Sequence, residues 1–308
     1  MLKLEASFSR RAAQVCLSPL SSHNSALIRS QTTAAGAIIL EWNVHSETKG
    51  GAGLWDSYVR LGGTAGSELQ VSQCPRSSVG NRQCFAAFLA VHLTRNSDAY
   101  FEGTWIWLAD HDFDTLNSDQ TTIYSGRGLL SESQGPVWLI GTGSEHHVIV
   151  NYNLAGAANH YIGLAQTESP YYQPDPPPPA PLFTILSEWK DPTFSPNQTS
   201  AWGLYVTESH NILVFGAGLY SFFIDYDASR CTATDQLNCQ SQILNVDSWS
   251  GVYIYSLVTV GTTYQLSIDS SPVIPAVENE VGFSQIVTVW TPGHHLSHYD
   301  VPETPLPI

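Results

Sequence analysis

Charge is scarce in this chain, and positive charge is scarcest. Twelve Lys and Arg face 27 Asp and Glu in 308 residues, for a formal charge of −15, and charged residues make up only 13%. Binding to nucleic acid by counterion release needs clustered basic residues, so that class of partner is excluded. A single methionine and few lysines are poor material for a helical protein. No stretch is long and apolar enough to cross a membrane. The opening MLKLEASFSRRAAQVCLSPLSSHNSALIRS lacks the continuous apolar run of a secretory signal. It is rich in Ser and Arg and poor in acids, faintly like an organelle transit segment, and reads best as the false start of an incomplete chain. Gly-x-Ser-x-Gly, P-loop and dinucleotide fingerprints are all missing.

What the chain does have is β-formers, turn residues and rings. Hydrophobic residues make up 43% and Phe, Trp and Tyr together 11%, with Gly, Ser, Thr and Asn plentiful. An acidic surface rich in aromatics suits a neutral ligand such as a sugar, although charge of this sign also simply aids solubility. Of the five cysteines, Cys74 and Cys84 bracket one short polar loop and Cys231 and Cys239 another. Neither pair has metal-site spacing, and both look like local disulfides of a secreted protein, with Cys16 left over. The sequon at Asn197 points weakly to the same extracellular location.

From Gly36 the chain is a run of short strands: AIILEWNV, SYVRLGG, AYFEGTWIWLAD, VWLIG, VIVNYNL, HYIGLAQ, WGLYVTE, NILVFGAGLYSFF and GVYIYSLVTVG. CFAAFLAVHL at 84–93 is ambiguous between a buried strand and a short helix. Strand entries recur at 135–141, 159–165, 210–216 and 250–256, each a polar turn followed by β-formers. A helix-free repeat of this kind, without regular hairpin signals, predicts an all-β parallel β-helix, a solenoid, rather than a sandwich. The expected layout is an irregular segment at 1–34, the solenoid at 35–265, and an extension at 266–308 with a strand at 283–290. PYYQPDPPPPAP at 170–181 interrupts the repeat as an extended polyproline-type loop.

The repeat also carries a chemical signal. WLIGTGSE at 138–145 and YIGLAQTE at 161–168 match, which sets Glu145 and Glu168 in equivalent places 23 residues apart. Consecutive coils of a β-helix lie about 4.8 Å apart, so the two carboxyls would share one face. Neighbouring carboxylates hold a proton between them towards neutral pH, the condition for glycoside hydrolysis. The ordinary fate of a glutamate is a solvated turn. Nearby rings weigh against that here: Trp105, Trp107, Trp138, Tyr161, Tyr171 and Tyr172 could stack on sugar, or fill the core.

GLWDSYVRLGG, AYFEGTWIWLADHDFD, IYSGRGLLSESQGPVWLIGTGSEHH, QTESPYYQP and GAGLYSFF together resemble the fungal family 55 glycoside hydrolases, over residues 35–295. The resemblance implies an extracellular exo-β-1,3-glucanase of the pectate-lyase-like superfamily, inverting, cofactor-free and built from two tandem right-handed parallel β-helices. It implies Glu168 as general acid, Glu145 as an essential neighbour, Tyr171 as a partner of the acid, and Trp107 as platform for the terminal sugar. Tyr172, His146, Asp110 and His111 are further substrate-binding candidates, and β-1,3-glucan is the expected partner of a monomeric chain. Ser169 stands where Thr is common. The larger departure is length: this chain matches only the second β-helix, so catalysis is expected to be weak unless the other half is supplied.

Asp110, Asp112 and Asp114 alternate like hard-metal ligands but lack the glycine and distal Glu of a calcium loop, so a polar turn is expected and no metal. Strand alternation would turn one of His146 and His147 into the cleft and the other outward. His294 and His295 read as surface. A polysaccharide lyase shares the fold but needs basic residues for acidic substrate, and the central region offers only Arg127 and Arg230. A glucan-binding module without chemistry is the remaining alternative.

Overall fold

The computed structural model describes residues 37–46, 48, 50–76, 78–231 and 238–292, together with the backbone of 10–17 and 24–30. Among these residues the only helical pieces are 3-10 turns of three or four residues. The strand backbones Arg10–Leu17 and Asn24–Ser30 pair with each other, and the first of them pairs antiparallel with Tyr58–Leu61. The rest of the segment read as irregular lies outside the described residues, as do His294 and His295.

From Ile38 the chain alternates between two sheets, and the strands pair in parallel with their counterparts one coil later. In one sheet Trp105–Leu108, Val137–Glu145, Ala158–Glu168, His210–Tyr220 and Val252–Val260 succeed one another. In the other the series is Ile38–Trp42, Phe85–Leu93, Tyr124–Ser131, Val150–Ala155, Trp202–Thr207 and Leu244–Val246. This connectivity is that of a parallel β-helix. Alternation along each strand turns one row inward: Leu54, Phe101, Leu139, Ile162, Val214 and Ile254 lie in register on successive coils, all buried. Burial of each such side chain contributes about 2 kcal/mol.

The long strands are bent. Gly141, Leu164, Gly216 and Ser256 all have positive φ and sit between two straight limbs of their strands. The limb before the bend of Val137–Glu145 pairs with Ala99–Glu102, the limb after it with Trp105–Leu108. Only glycine takes this conformation without cost, and Gly141 is the residue in the first of these bends where a glycine stands. The bend gives every coil a third face.

The ambiguous segment at 84–93 is the strand Phe85–Leu93. Its apolar character on both sides follows from its surroundings, since the outer face of its sheet is covered. The covering comes from the excursion between Glu168 and Trp202. Phe183 packs on Phe85 and Trp189 on Phe88, and Asp191 pairs with Arg127, both side chains almost fully buried. The proline-rich stretch does not run extended as expected; it folds into successive turns at 171–182. Gln173 fixes it, donating to the Val148 carbonyl and accepting from the Ala201 N–H. At the far end Ser271–Pro275 pairs antiparallel with Thr262–Ile268, and Ser284–Trp290, matching the expected strand, pairs antiparallel with Val252–Val260; together they close the parallel stack. Disulfides join Cys74 to Cys84 and Cys231 to Cys239, as the loop spacing predicted.

Candidate active site

The 23-residue offset read from the sequence is the register observed: Trp138 lies beside Tyr161 and Gly143 beside Gln166 on consecutive coils. Continuing two residues sets Glu145 next to Glu168, where the His146 N–H donates to the Glu168 carbonyl at 2.9 Å. Outward positions on the limb beyond the bend therefore bear Trp105 and Trp107 on one coil, Gly143 and Glu145 on the next, Gln166 and Glu168 on the third.

Glu145 is almost fully buried, and each of its oxygens accepts one N–H bond: Trp105 Nε1 donates to Oε2 at 2.8 Å and Gln166 Nε2 to Oε1 at 3.0 Å. Burial first, and then the charges of Glu168 and Asp110, push its carboxyl up to about 7, against the opposing pull of His146 and the Trp105 hydrogen bond. Glu145, Trp105, Gln166 and the backbone around Gly141–Gly143 line a cavity of about 310 Å3. The space depends on Gly143, where a Cβ would meet the Trp105 ring at 2.9 Å.

Glu168 has a different set of partners. The Tyr171 hydroxyl donates to its Oε2 at 2.9 Å, and His146 Nε2 lies 3.4 Å from the same oxygen. His146 Nδ1–H donates to the Leu108 carbonyl at 3.0 Å, which leaves Nε2 directed at the acid. Burial opposes charge on this imidazole, but the hydrogen bond to Glu168 and the negative charges of Asp110, Glu168 and Glu145 outweigh it and raise the ring to about 9. Its backbone is left-handed, φ 67°, at the corner where Val137–Glu145 ends. Asn151 secures that corner by donating to the Glu168 carbonyl and accepting from the His147 N–H. Burial and the negative charge of Glu168 raise the phenol of Tyr171, which remains a donor throughout the ordinary pH range.

The other expected site residues divide. Asp110 lies 3.8 Å from His146 Nδ1 and 3.0 Å from His111 Nδ1, which sets it beside both histidines. Trp107 is not an open platform: it is 1% exposed, with Phe113 stacked on it and the Arg60 guanidinium over both rings. The ring that faces the cavity is Trp105, one alternation earlier on the same side of the strand. Tyr172 is buried against Tyr124 and does not reach the carboxyls. Trp138 and Tyr161 lie before the bend on another face, where Tyr161, Phe215 and Tyr255 stack on one another. His147 does not point outward but into the solenoid, its Nδ1 3.1 Å from the Ser125 hydroxyl, with burial lowering it to about 3. The Asp112 carboxylate accepts from the Val71 and Asp114 N–H groups, as a polar turn does. Among the described residues no group of three or more His, Cys, Asp or Glu is arranged to hold a metal ion.

Gln166 was absent from the expected site residues, and Trp105 was weighed only as one of six rings able to stack on sugar or fill the core. The signal for both was the alternation of two, since each stands two residues before a residue already singled out.

No protein-family model matches the chain. It is 38% identical over 276 residues to a probable glucan endo-1,3-beta-glucosidase of Arthroderma benhamiae, covering 87% of this chain and 31% of that protein. A glucan 1,3-beta-glucosidase of Cochliobolus carbonum is 39% identical over 248 residues, 78% of this chain and 31% of its own length. The non-secreted LysM effector LysM15 of Penicillium expansum is 40% identical over 267 residues, 84% of this chain and 17% of that protein. The structure of sacteLam55A from Streptomyces sp. SirexAA-E aligns with a TM-score of 0.46 at 15% identity, over 76% of this chain and 34% of that one. The chain spans about a third of the two curated glucosidases it matches. It is thus similar to a part, about a third, of two fungal proteins named as glucan 1,3-beta-glucosidases.

Proposed function

We propose that this chain carries the acid site of a β-1,3-glucan hydrolase that releases sugar from the chain end with inversion. The observation that carries this is the pair Glu145 and Glu168 on consecutive coils, with His146 between them. Burial first, and then the neighbouring carboxylates, raise Glu145 to about 7, so the site retains a carboxyl proton to about neutral pH. Glu168 delivers the proton to the glycosidic oxygen, because Glu145 already accepts an N–H bond at each oxygen whereas Glu168 has one oxygen without a hydrogen bond to His146 or Tyr171. His146 and Tyr171 orient that carboxyl and Glu145 supplies the negative field that favours the oxocarbenium-like transition state. No cofactor enters this chemistry. The groups that aim the attacking water belong to the remainder of a full-length relative, so this chain alone turns over slowly.

Glucose release from laminarin, with proton NMR of the fresh anomer, tests the reading. Release of the α-anomer, lost in Glu168→Gln, supports it; release of the β-anomer, or activity untouched by Glu168→Gln, overturns it. Rapid turnover by the isolated chain would sink the view that the remainder is needed. A folded chain that binds laminarin without hydrolysis would fit a glucan-binding module instead. A lyase acting on acidic polymer is disfavoured because Arg127 is buried against Asp191 and cannot meet substrate carboxylates. The two disulfides support an extracellular location and the closed solenoid end a monomer; culture-medium fractionation and light scattering test these.

A further inference from the structure

We propose that Asn197 is an acceptor for an N-linked oligosaccharide. This rests on the extracellular reading above. Asn197-Gln198-Thr199 is the one Asn-x-Ser/Thr triplet in the 308 residues, and its middle position is not proline.

The structure gives the three residues different surroundings. Residues 195–198 form a turn closed by the Gln198 N–H, which donates to the Ser195 carbonyl at 2.9 Å. Pro196 and Asn197 are the two central residues of that turn, and both are exposed. Gln198 goes the other way and is buried. Its Nε2 donates to the Ser200 carbonyl at 2.8 Å and the Gln242 carbonyl at 2.7 Å. Its Oε1 accepts from the Ser241 hydroxyl at 2.7 Å and from the Gln242 N–H at 3.1 Å. The middle residue of the triplet thus fastens the turn to the strand Gln240–Gln242, while the residue before it stays at the surface. Other asparagines are taken up by the fold: Asn153 donates to the Lys190 carbonyl and Asn159 to the Gln134 carbonyl. Among the described residues nothing takes up the Asn197 amide in this way.

The turn also stands apart from the chemistry. It leads into Trp202–Thr207, and Trp202 Nε1 donates to the Thr193 carbonyl at 3.2 Å. Trp202–Thr207 and Gln240–Gln242 belong to one sheet, whereas Glu145 and Glu168 end strands of the other. A bulky, hydrated group on Asn197 therefore displaces no contact of the fold and no partner of the two carboxyls. In the transfer, Asn197 Nδ2 forms a bond to the anomeric carbon of the first sugar of a lipid-diphosphate-linked oligosaccharide. The bond from that carbon to the diphosphate oxygen breaks, the lipid diphosphate leaves, and one amide proton is lost to solvent.

The test is secretion of the full chain from yeast behind a cleavable leader, with mass spectrometry before and after peptide N-glycosidase. The chain from the medium is expected to lose the mass of a glycan on treatment, with an aspartate recovered at position 197. Asn197→Gln and Thr199→Ala should abolish that loss, and Thr199→Ser should retain it. Neither side chain is buried, so all three variants should fold and bind laminarin as the parent does. A folded chain in the medium with unmodified Asn197, or a glycan that persists in Asn197→Gln, would overturn the acceptor and leave the extracellular reading standing. A chain that culture-medium fractionation finds only inside its own cells would overturn the extracellular reading, while modification of the leader-directed chain would still support the acceptor.

Discussion

Glu145 and Glu168 occupy the same place on consecutive coils, yet their carboxyls are held by opposite kinds of partner. Glu145 is clamped by two neutral N–H donors, Trp105 and Gln166; Glu168 faces an imidazole raised to about 9 and a phenol. One repeated sequence position has thereby become two chemically distinct groups.

Glu168→Gln should lower laminarin hydrolysis by at least about 100-fold, the usual contribution of a general acid. Glu145→Gln should reduce it as well, while laminarin binding survives in both. Initial rates of glucose release, paired with affinity electrophoresis, read the two effects separately.

Activity should fall as pH rises through about 7, where Glu145 loses its proton. Trp105→Phe keeps a ring at this position but deletes the N–H that favours ionised Glu145, so the limb should move upward by roughly half a unit or more. A limb that moves down would contradict the assigned hydrogen bond.

Stability should follow the same direction. Glu145 is raised from 4.5 to about 7 on folding, so its protonation stabilises the fold fully below the unfolded value and is lost as pH rises through about 7. The size is on the order of 3 kcal/mol. His146, raised from 6.5 to about 9, contributes below its unfolded value and is lost through about 9. Urea titrations between pH 5 and 9 should show stability declining, with the lower step missing in Glu145→Gln.

Arg127→Ala should cost about 3–5 kcal/mol, because it leaves Asp191 charged and buried without a partner. The excursion at 182–191 would loosen from the back sheet while the site on the other sheet keeps its geometry. Denaturant midpoints would measure the loss. A near-neutral effect would show that the pair does not anchor this segment.

Much of this arrangement is legible in the sequence. The match of 138–145 with 161–168 sets the register, because in stacked parallel strands an identical pattern places like residues side by side. Period two likewise sets Trp105, Trp107 and Glu145 on one side of their strands. What period two cannot show is a bend. The left-handed residues at 141 and 164 turn Trp138 and Tyr161 onto a different face from Glu145 and Glu168, although all four belong to the same two strands.

By itself, then, the sequence determined the all-β class, the coil repeat, both disulfide loops and the pairing of the two glutamates, since each depends on local pattern or on spacing along one strand. Tertiary structure alone decided that Trp107 is covered and Trp105 is open, that His147 turns inward, and that Gln173, Asn151 and Tyr226 buttress the site. Those outcomes depend on loops separated by tens of residues, such as Phe113 lying over Trp107 and the turn after Phe223 meeting Tyr171. Such contacts follow from how excursions fold back on the solenoid, and no periodicity in the chain records them.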